Sequence, residues 1–250
     1  MLHIVGQAIR KVRGFMGRQK HNYRVGVARS AANNFLTHLT SQYSAIYTVG
    51  LGANAVQLGF LSSVTGAIGA LISTPVGWLM DRHGIKRFYL LAVVLMAGSS
   101  LFYARAHDWR FLVGAAILAS IAMRLSGTGC RVICTDSVQS RDRVTAQNVC
   151  GTLASIFGMI SPLLAAYLVT LFGGMTVEGI RPLYYIQFGG YGLLFFLVAS
   201  QLREPQRERL ISTKTRFGFV ADFRILFAGR RDLWRWIAIS ALTSLPMAMF

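Results

Sequence analysis

The chain has 250 residues, of which 54% are hydrophobic and 14% are charged, whereas a soluble domain typically carries about 25% charged residues. No Lys, Arg, Asp or Glu occurs in residues 30–80, 144–177 or 182–202. A helix needs about 20 apolar residues to cross a bilayer, so these stretches exclude a soluble protein and predict an integral membrane protein. The net charge of +17 does not indicate a nucleic-acid partner, because the basic residues lie between the apolar stretches.

Residues 1–29 form a basic N-terminal segment with seven Lys and Arg residues and no acidic residue. It contains no continuous apolar stretch of the kind found in a cleavable signal peptide. We predict a basic cytoplasmic tail, which is either a short amphipathic helix on an anionic membrane surface or a segment without fixed structure.

The first predicted transmembrane helix covers residues 30–50 and is unusually polar. Asn34, His38 and Gln42 lie four residues apart and therefore share one helical face, and Tyr47 follows near the end of the helix. Polar groups that face lipid are costly. These side chains are expected either to line a central substrate cavity or to form hydrogen bonds between helices.

The remaining apolar segments predict five further complete helices and part of another. Helices 2 to 6 are expected at residues 55–80, 88–104, 111–134, 146–172 and 183–202. Residues 203–235 contain nine basic and four acidic residues, which predicts a basic cytoplasmic linker with an amphipathic helix. Residues 236–250 are apolar but too few to cross a bilayer, which predicts a truncated seventh helix. The predicted fold class is an all-α membrane protein with six complete transmembrane helices and the start of a seventh.

The distribution of Lys and Arg predicts the orientation in the membrane. Twenty-one of them lie in the tail, in the loops after helices 2 and 4 and in the linker, and three lie on the opposite side. Cytoplasmic loops carry an excess of Lys and Arg. The N-terminus is therefore expected in the cytoplasm, with the protein in the cell (plasma or inner) membrane.

The segment between helices 2 and 3 carries a motif. It reads Gly-Trp-Leu-Met-Asp-Arg-His-Gly-Ile-Lys-Arg over residues 77–87. This closely resembles the Gly-x-Leu-x-Asp-Arg-x-Gly-Arg-Lys signature of the major facilitator superfamily, with Ile85 as the departure. A glycine at residue 77 would allow another helix to approach closely. The resemblance implies a conformational gate made of Gly77, Leu79, Asp81, Arg82, Gly84, Lys86, Arg87 and, at the end of helix 4, Asp136.

The resemblance also implies a function. Members of this superfamily are secondary active transporters, not enzymes, and they move small solutes across the lipid bilayer by alternating access, here with coupling to a proton or another ion. An inverted repeat of three plus three helices and a missing C-terminal half are implied as well. Helix 5 contains Gly158, Ser161 and Pro162 in a degraded form of a drug–proton antiporter signature, which favours efflux of drugs or amphiphiles. Uptake of an organic anion or a sugar, and a scaffold or sensor without transport, stay open; no cofactor or metal is expected.

Arg124 lies in the middle of helix 4, where a charge costs about 2.5–3.5 kcal/mol on insertion scales. It is either an anion-attracting or coupling charge in the cavity, or a side chain that extends to the cytoplasmic interface. No Asp or Glu lies in the middle of any of the six helices. A proton-coupling carboxylate is therefore expected in the missing half, unless His38 titrates instead of serving as a structural hydrogen-bonding residue. The predicted substrate cavity comprises Asn34, His38, Gln42, Tyr47 and Arg124.

Overall fold

The computed structural model describes residues 14–17, 21–83, 85–136, 138, 140–201 and 239–240. The chain divides into two compact units, Met1–Arg207 and Glu208–Phe250. In the second unit the described residues, 239 and 240, are helical. The predicted linker at 203–235, and the seventh helix apart from those two residues, lie outside the described residues.

Seven α-helices make up most of the first unit between residues 21 and 201, and five of them are long and apolar enough to cross a membrane; residues 14–17 are also helical. The five spans are Ala55–Met80, Lys86–Arg105, Trp109–Gly127, Arg143–Leu171 and Val177–Gln201, which correspond to predicted helices 2 to 6. A short 3-10 helix, Ser140–Asp142, precedes the sixth α-helix. In chain order the helices are α1 (His21–Ser41), α2 (Ser44–Gly50), α3 (Ala55–His83), α4 (Ile85–Arg105), α5 (Trp109–Asp136), α6 (Arg143–Leu171) and α7 (Val177–Gln201).

The first predicted helix differs from the structure at its beginning and in its continuity, whereas its predicted end at residue 50 agrees with the end of α2. The helical segment begins at His21 instead of residue 30, and a turn at residues 42–43 separates α1 from α2. At this turn the Tyr43 N–H donates to Thr40 O at 3.0 Å and the Ser44 hydroxyl donates to Ser41 O at 2.9 Å. Neither α1 nor α2 is among the helices that meet the length and hydropathy expected of a span.

Residues 21–29, which were predicted to belong to the tail, are the first turns of α1. Tyr23, Val25 and Val27 are buried there, and Arg29 is only 1% exposed. The Arg29 guanidinium carbon lies 3.9 Å from the centroid of the Tyr89 ring on α4, within the range of a cation–π contact. The prediction began the helix after Arg29 because it relied on stretches without charged residues. In the structure this arginine stacks on an aromatic ring, which allows it to be buried inside the bundle.

The helices pack in a simple pattern. α1 lies along α6 and α7, α5 lies along α3 and α4, and α4 lies along α7. α3 and α6 are thus at the periphery, and most residues in the spanning segment of α3 are exposed or half-buried. Large apolar side chains such as Leu71 on α3 and Leu163 on α6 are exposed, as expected of helices whose outer faces meet lipid or further protein.

The two ends of the bundle are held by different contacts. At one end, named here the Ala106 end, the turns at 51–54, 106–108 and 172–176 come together, and a Cβ added to Gly50 would lie 2.7 Å from Val177 Cγ2. At the opposite end, named the Lys86 end, the Lys86 ammonium donates a hydrogen bond of 3.2 Å to Ala199 O near the C-terminus of α7.

Candidate functional site

An open groove of about 780 Å³ runs between α3 and α5. Ligand sites typically enclose about 300–1,000 Å³, so its size suits a small solute. Its walls combine hydroxyl groups, small residues, one cation and two larger side chains. The lining residues are Ser62, Thr65, Gly66 and Ser73 on α3, Tyr103 on α4, and Ala116, Ala119, Ser120, Met123, Arg124 and Gly127 on α5.

The sequence of α3 explains why the groove forms. Ser62, Gly66, Gly69 and Ser73 recur at intervals of three or four residues, which places them on one helical face, and their small side chains leave space in front of α5. The Ser120 hydroxyl donates to Thr65 O at 2.8 Å. This bond joins the two helices across the groove.

Arg124 provides the positive charge of the groove. A Cβ added to Gly69 would lie 2.9 Å from Arg124 Nε and 3.1 Å from Nη2, so the guanidinium rests on the bare backbone of α3. Gly69 is in the middle of the candidate span Ala55–Met80, so the guanidinium lies beside the middle of that helix. The guanidinium makes no hydrogen bond or ion pair with any residue that the structure describes.

Asn34 and His38 form a second polar pair, on α1, and both are partly buried. They face Gly158 on α6, since a Cβ added there would lie 3.0 Å from Asn34 Oδ1 and 3.0 Å from His38 Cδ2. Within the described part of the chain neither side chain forms a hydrogen bond. Gln42, predicted to share their face, lies instead in the turn after α1 and is exposed.

Other polar groups of α1 and its neighbours do form hydrogen bonds between helices. The Gln187 amide on α7 donates to Leu36 O at 3.0 Å, and the Thr37 hydroxyl lies 3.2 Å from the Tyr191 hydroxyl. The Ser161 hydroxyl on α6 donates to Phe35 O at 2.6 Å. These bonds hold α1 against α6 and α7. From the sequence alone, the polar residues of this helix could either line a cavity or form such bonds between helices.

Tyr47 is fully buried in an aromatic cluster at the Ala106 end. Its hydroxyl donates to Tyr103 O at 2.7 Å, and its ring lies 5.1 Å from that of Tyr184. Tyr103 stacks on Tyr184 at 5.0 Å with an interplanar angle of 7°. Tyr103 also lines the groove. Tyr47 does not line it but contacts Tyr103, which does. Nearby, Arg181 Nη2 donates to Ala106 O at 2.7 Å.

The predicted gate residues are described in part. Lys86 contacts α7 as stated above, Arg87 is exposed and Leu79 is partly buried. A Cβ added to Gly77 would meet no atom within 4 Å, so no described helix makes the close approach expected there. The side chains of Asp81, Arg82 and Asp136, and the whole of Gly84, lie outside the described residues.

Sequence reasoning missed several residues that shape the two polar pairs. Gly69 and Gly158 provide the surfaces on which Arg124 and His38 lie, and Ser120 lies one turn before Arg124. The recurrence of small and hydroxyl residues along α3 was visible in the sequence and would have indicated the groove face. Which helix opposes which polar pair was not visible, because spacing within one helix does not identify its neighbour.

Comparison with known proteins identifies the family. The sequence profile of the Major Facilitator Superfamily matches residues 25–250. The chain belongs to the Major Facilitator Superfamily. It is therefore a multi-pass membrane protein from a family of transporters and not from a family of enzymes. No curated protein sequence matches the chain.

A solved structure shows the same fold. It is the crystal structure of a bacterial homolog of the human lysosomal transporter Spinster, in an inward-facing and unoccupied conformation. The TM-score is 0.65 at 19% sequence identity, and the match covers 75% of this chain and 44% of that chain. The superfamily member described here thus spans less than half the length of that transporter.

Proposed function

We propose that this chain is one half of a transporter that moves a small amphiphilic organic anion across the membrane by alternating access, with Arg124 as the charge that binds the solute. The observation that carries this proposal is the uncompensated guanidinium in the groove, which has no partner among the described residues. Below, the complete transporter means this half together with a second, C-terminal half.

The energetics favour an anion as the partner. A charge at the bilayer centre costs about 2.5–3.5 kcal/mol, and a hydrogen bond to a charged group contributes about 1.5–3 kcal/mol. A bound anion would therefore offset much of the cost of keeping Arg124 in the groove. Met123 and the ring of Tyr103 supply apolar surface beside the hydroxyls, which suits an apolar body on the anionic group. A sugar could accept hydrogen bonds from the guanidinium but would not neutralise its charge, and a cationic drug would be repelled by it.

The packing pattern supports an internal repeat. Exchanging α1 with α5, α3 with α6 and α4 with α7 converts the main helix contacts into one another, since α1–α6 becomes α5–α3 and α4–α7 is unchanged. The second triplet starts on the opposite side of the membrane because each triplet has three helices, so the repeat is inverted. Each of α3 and α6 also contains an internal proline, Pro75 and Pro162.

The orientation and the gate are proposed on the grounds that the sequence provides. The excess of Lys and Arg favours an orientation with the N-terminus and the Lys86 end on the cytoplasmic side of the cell membrane. Asp81 and its motif neighbours then lie at the cytoplasmic side, where a carboxylate that pairs with arginine groups helps to close that side. Movement of the two halves about the groove would expose it alternately to each side of the membrane.

Exchange across liposomes tests the proposal. The complete transporter is reconstituted, and exchange of benzene-, naphthalene- and pyrenesulfonate is measured beside that of trimethylammonium analogues of the same rings. We expect exchange of at least one sulfonate and none of the ammonium compounds. Arg124→Gln should raise the KM roughly tenfold or more, Arg124→Lys should raise it less, and Arg110→Gln, an exposed arginine at the start of α5, should leave it unchanged.

Two outcomes contradict the proposal. Equal exchange by wild type and Arg124→Gln would show that Arg124 does not bind the solute. Absence of sulfonate exchange by wild type, with the protein folded, would favour a different solute or the scaffold and sensor role.

A further inference from the structure

We propose that Ser120 accepts a hydrogen bond from the transported anion, so that the preferred solute carries an N–H or O–H donor next to its anionic group. This inference rests on the proposed function and narrows the class of solute that the groove binds. Ser120 is then a specificity-determining residue beside Arg124.

Three hydroxyl groups of the groove already donate their protons to backbone carbonyls. The Ser120 hydroxyl donates to Thr65 O at 2.8 Å. The Thr65 hydroxyl donates to Ser62 O at 2.8 Å, and the Ser62 hydroxyl donates to Leu58 O at 3.2 Å. A serine or threonine hydroxyl has one proton to donate and two lone pairs that accept. These groups therefore offer a solute acceptor lone pairs and not donors.

Of these three hydroxyls, that of Ser120 is the most firmly held. Its bond joins α5 to α3, whereas the hydroxyls of Ser62 and Thr65 bond to carbonyls of their own helix, a local arrangement that leaves the helix packing unchanged when it breaks. No group in the described part of the chain donates to Ser120 Oγ. Ser120 thus presents a fixed and unused acceptor to the groove.

This acceptor lies beside the cation of the groove. Ser120 Oγ and Arg124 Nε would lie 3.1 Å and 2.9 Å from the same Cβ added to Gly69, so one small solute can reach both. A guanidinium has donors and no acceptor. An anionic group therefore suits Arg124 but is repelled by the lone pairs of Ser120. A solute that has an anionic group and a neighbouring N–H or O–H satisfies both residues.

The groups on either side of Arg124 orient such a solute. Towards the Lys86 end, Ser73 lines the groove one turn beyond Gly69, and its hydroxyl bonds to no residue that the structure describes, so it is available to donate to the anionic group. Towards the Ala106 end, beyond Ser120, lies Tyr103, whose ring is stacked on a second tyrosine. Aromatic rings pair favourably with one another, so an aromatic body suits that end of the groove.

A matched pair of anions tests the inference. Naphthoyltaurine carries an amide N–H that an ethylene spacer joins to a sulfonate. Naphthoylisethionate has an ester oxygen in place of that N–H and keeps the ring, the spacer and the charge. Titration calorimetry on the complete transporter gives the Kd of each anion. We expect naphthoyltaurine to bind roughly tenfold more tightly, because the ester oxygen has no proton to donate to Ser120.

Variants of Ser120 locate the acceptor. Ser120→Ala should bind the two anions with nearly equal Kd values, and Ser120→Thr, which keeps the hydroxyl, should keep the preference for the amide. The matched control, Ser63→Ala, removes an exposed hydroxyl of α3 that does not line the groove and should keep the wild-type ratio. Because the two Kd values are compared within each protein, a general loss of affinity caused by the broken bond to Thr65 does not imitate the expected effect.

The outcomes that overturn the inference differ from those that overturn the proposed function. Equal Kd values of the wild type for the two anions would refute the inference, as would an undiminished preference for the amide in Ser120→Ala. Should neither Ser120 variant fold, the structure of the wild-type complex with naphthoyltaurine decides. The amide nitrogen must lie within about 3.2 Å of Ser120 Oγ, and a different partner for that nitrogen refutes the inference. Failure of the folded wild type to bind either anion would contradict the proposed function itself.

Discussion

Replacing Gly69 with alanine should displace the guanidinium of Arg124 without disturbing the fold. The added Cβ would lie 2.9 Å from Arg124 Nε, 3.1 Å from its Nη2 and 3.1 Å from Ser120 Oγ. Non-bonded heavy atoms pack best at about 3.5–4.0 Å, so the guanidinium must move by roughly 0.5–1 Å. The atoms that must move belong to the end of a flexible side chain and to a hydroxyl group, and not to the backbone.

The expected effect is large on binding and small on stability. Loss of one hydrogen bond between the guanidinium and an anion costs about 1.5 kcal/mol, which is roughly a tenfold rise in the Kd for naphthalenesulfonate. Alanine in a helix interior gains about 0.5–1 kcal/mol over glycine, so the folded protein should be at least as stable. Titration calorimetry gives the Kd, and thermal unfolding in detergent gives the Tm.

Gly59→Ala is the matched control. It adds the same methyl group to the same helix, at a residue that does not line the groove, and nothing lies within 4 Å of the new Cβ. It should share the gain in Tm and keep the wild-type Kd. Equal affinities of the two variants would refute the reasoning, because the position of Arg124 would then have no effect on the anion.

Two further predictions concern the packing that supports the groove. Tyr47→Phe removes the hydroxyl that donates to Tyr103 O and should destabilise the protein by about 1 kcal/mol, measured as a lower Tm. The control Tyr185→Phe, at an exposed position, should keep the wild-type Tm, and equal Tm values of the two variants would contradict the prediction. Gly190→Ala places a Cβ against the buried Leu36 of α1 and should lower the free energy of unfolding by about 1–3 kcal/mol. The control Gly189→Ala, with nothing within 4 Å of the new Cβ, should not lower it. A Gly190→Ala variant as stable as this control would show that α1 and α7 are not in close contact.

The fold followed from the sequence wherever a span is a charge-free apolar run. Helices α3 to α7 were predicted because hydropathy alone defines a span of sufficient length. The beginning of α1 was not, since the buried Arg29 is stabilised by Tyr89, which is distant in sequence. The turn at residues 42–43 depends on local hydrogen bonds that a polarity profile does not contain.

Of the proposed site, the sequence indicated only the charged and titratable residues. Arg124 and His38 were candidates because charged or titratable groups in apolar helices are costly and tend to be functional. Their environments depend on which helices meet: Gly69 and Gly158 gain importance only once α3 lies on α5 and α6 lies on α1. Tyr47 was assigned to the cavity by proximity along the helix, but its contacts place it in the aromatic cluster.

The location of a bound anion tests the central claim most directly. The structure of the complete transporter with a bromine-substituted naphthalenesulfonate would show the probe by its density and by the scattering of bromine. Our account predicts the sulfonate within about 3.5 Å of the Arg124 guanidinium, with the ring in the groove between α3 and α5. A probe bound elsewhere, with Arg124 paired to a carboxylate of the second half, would contradict it.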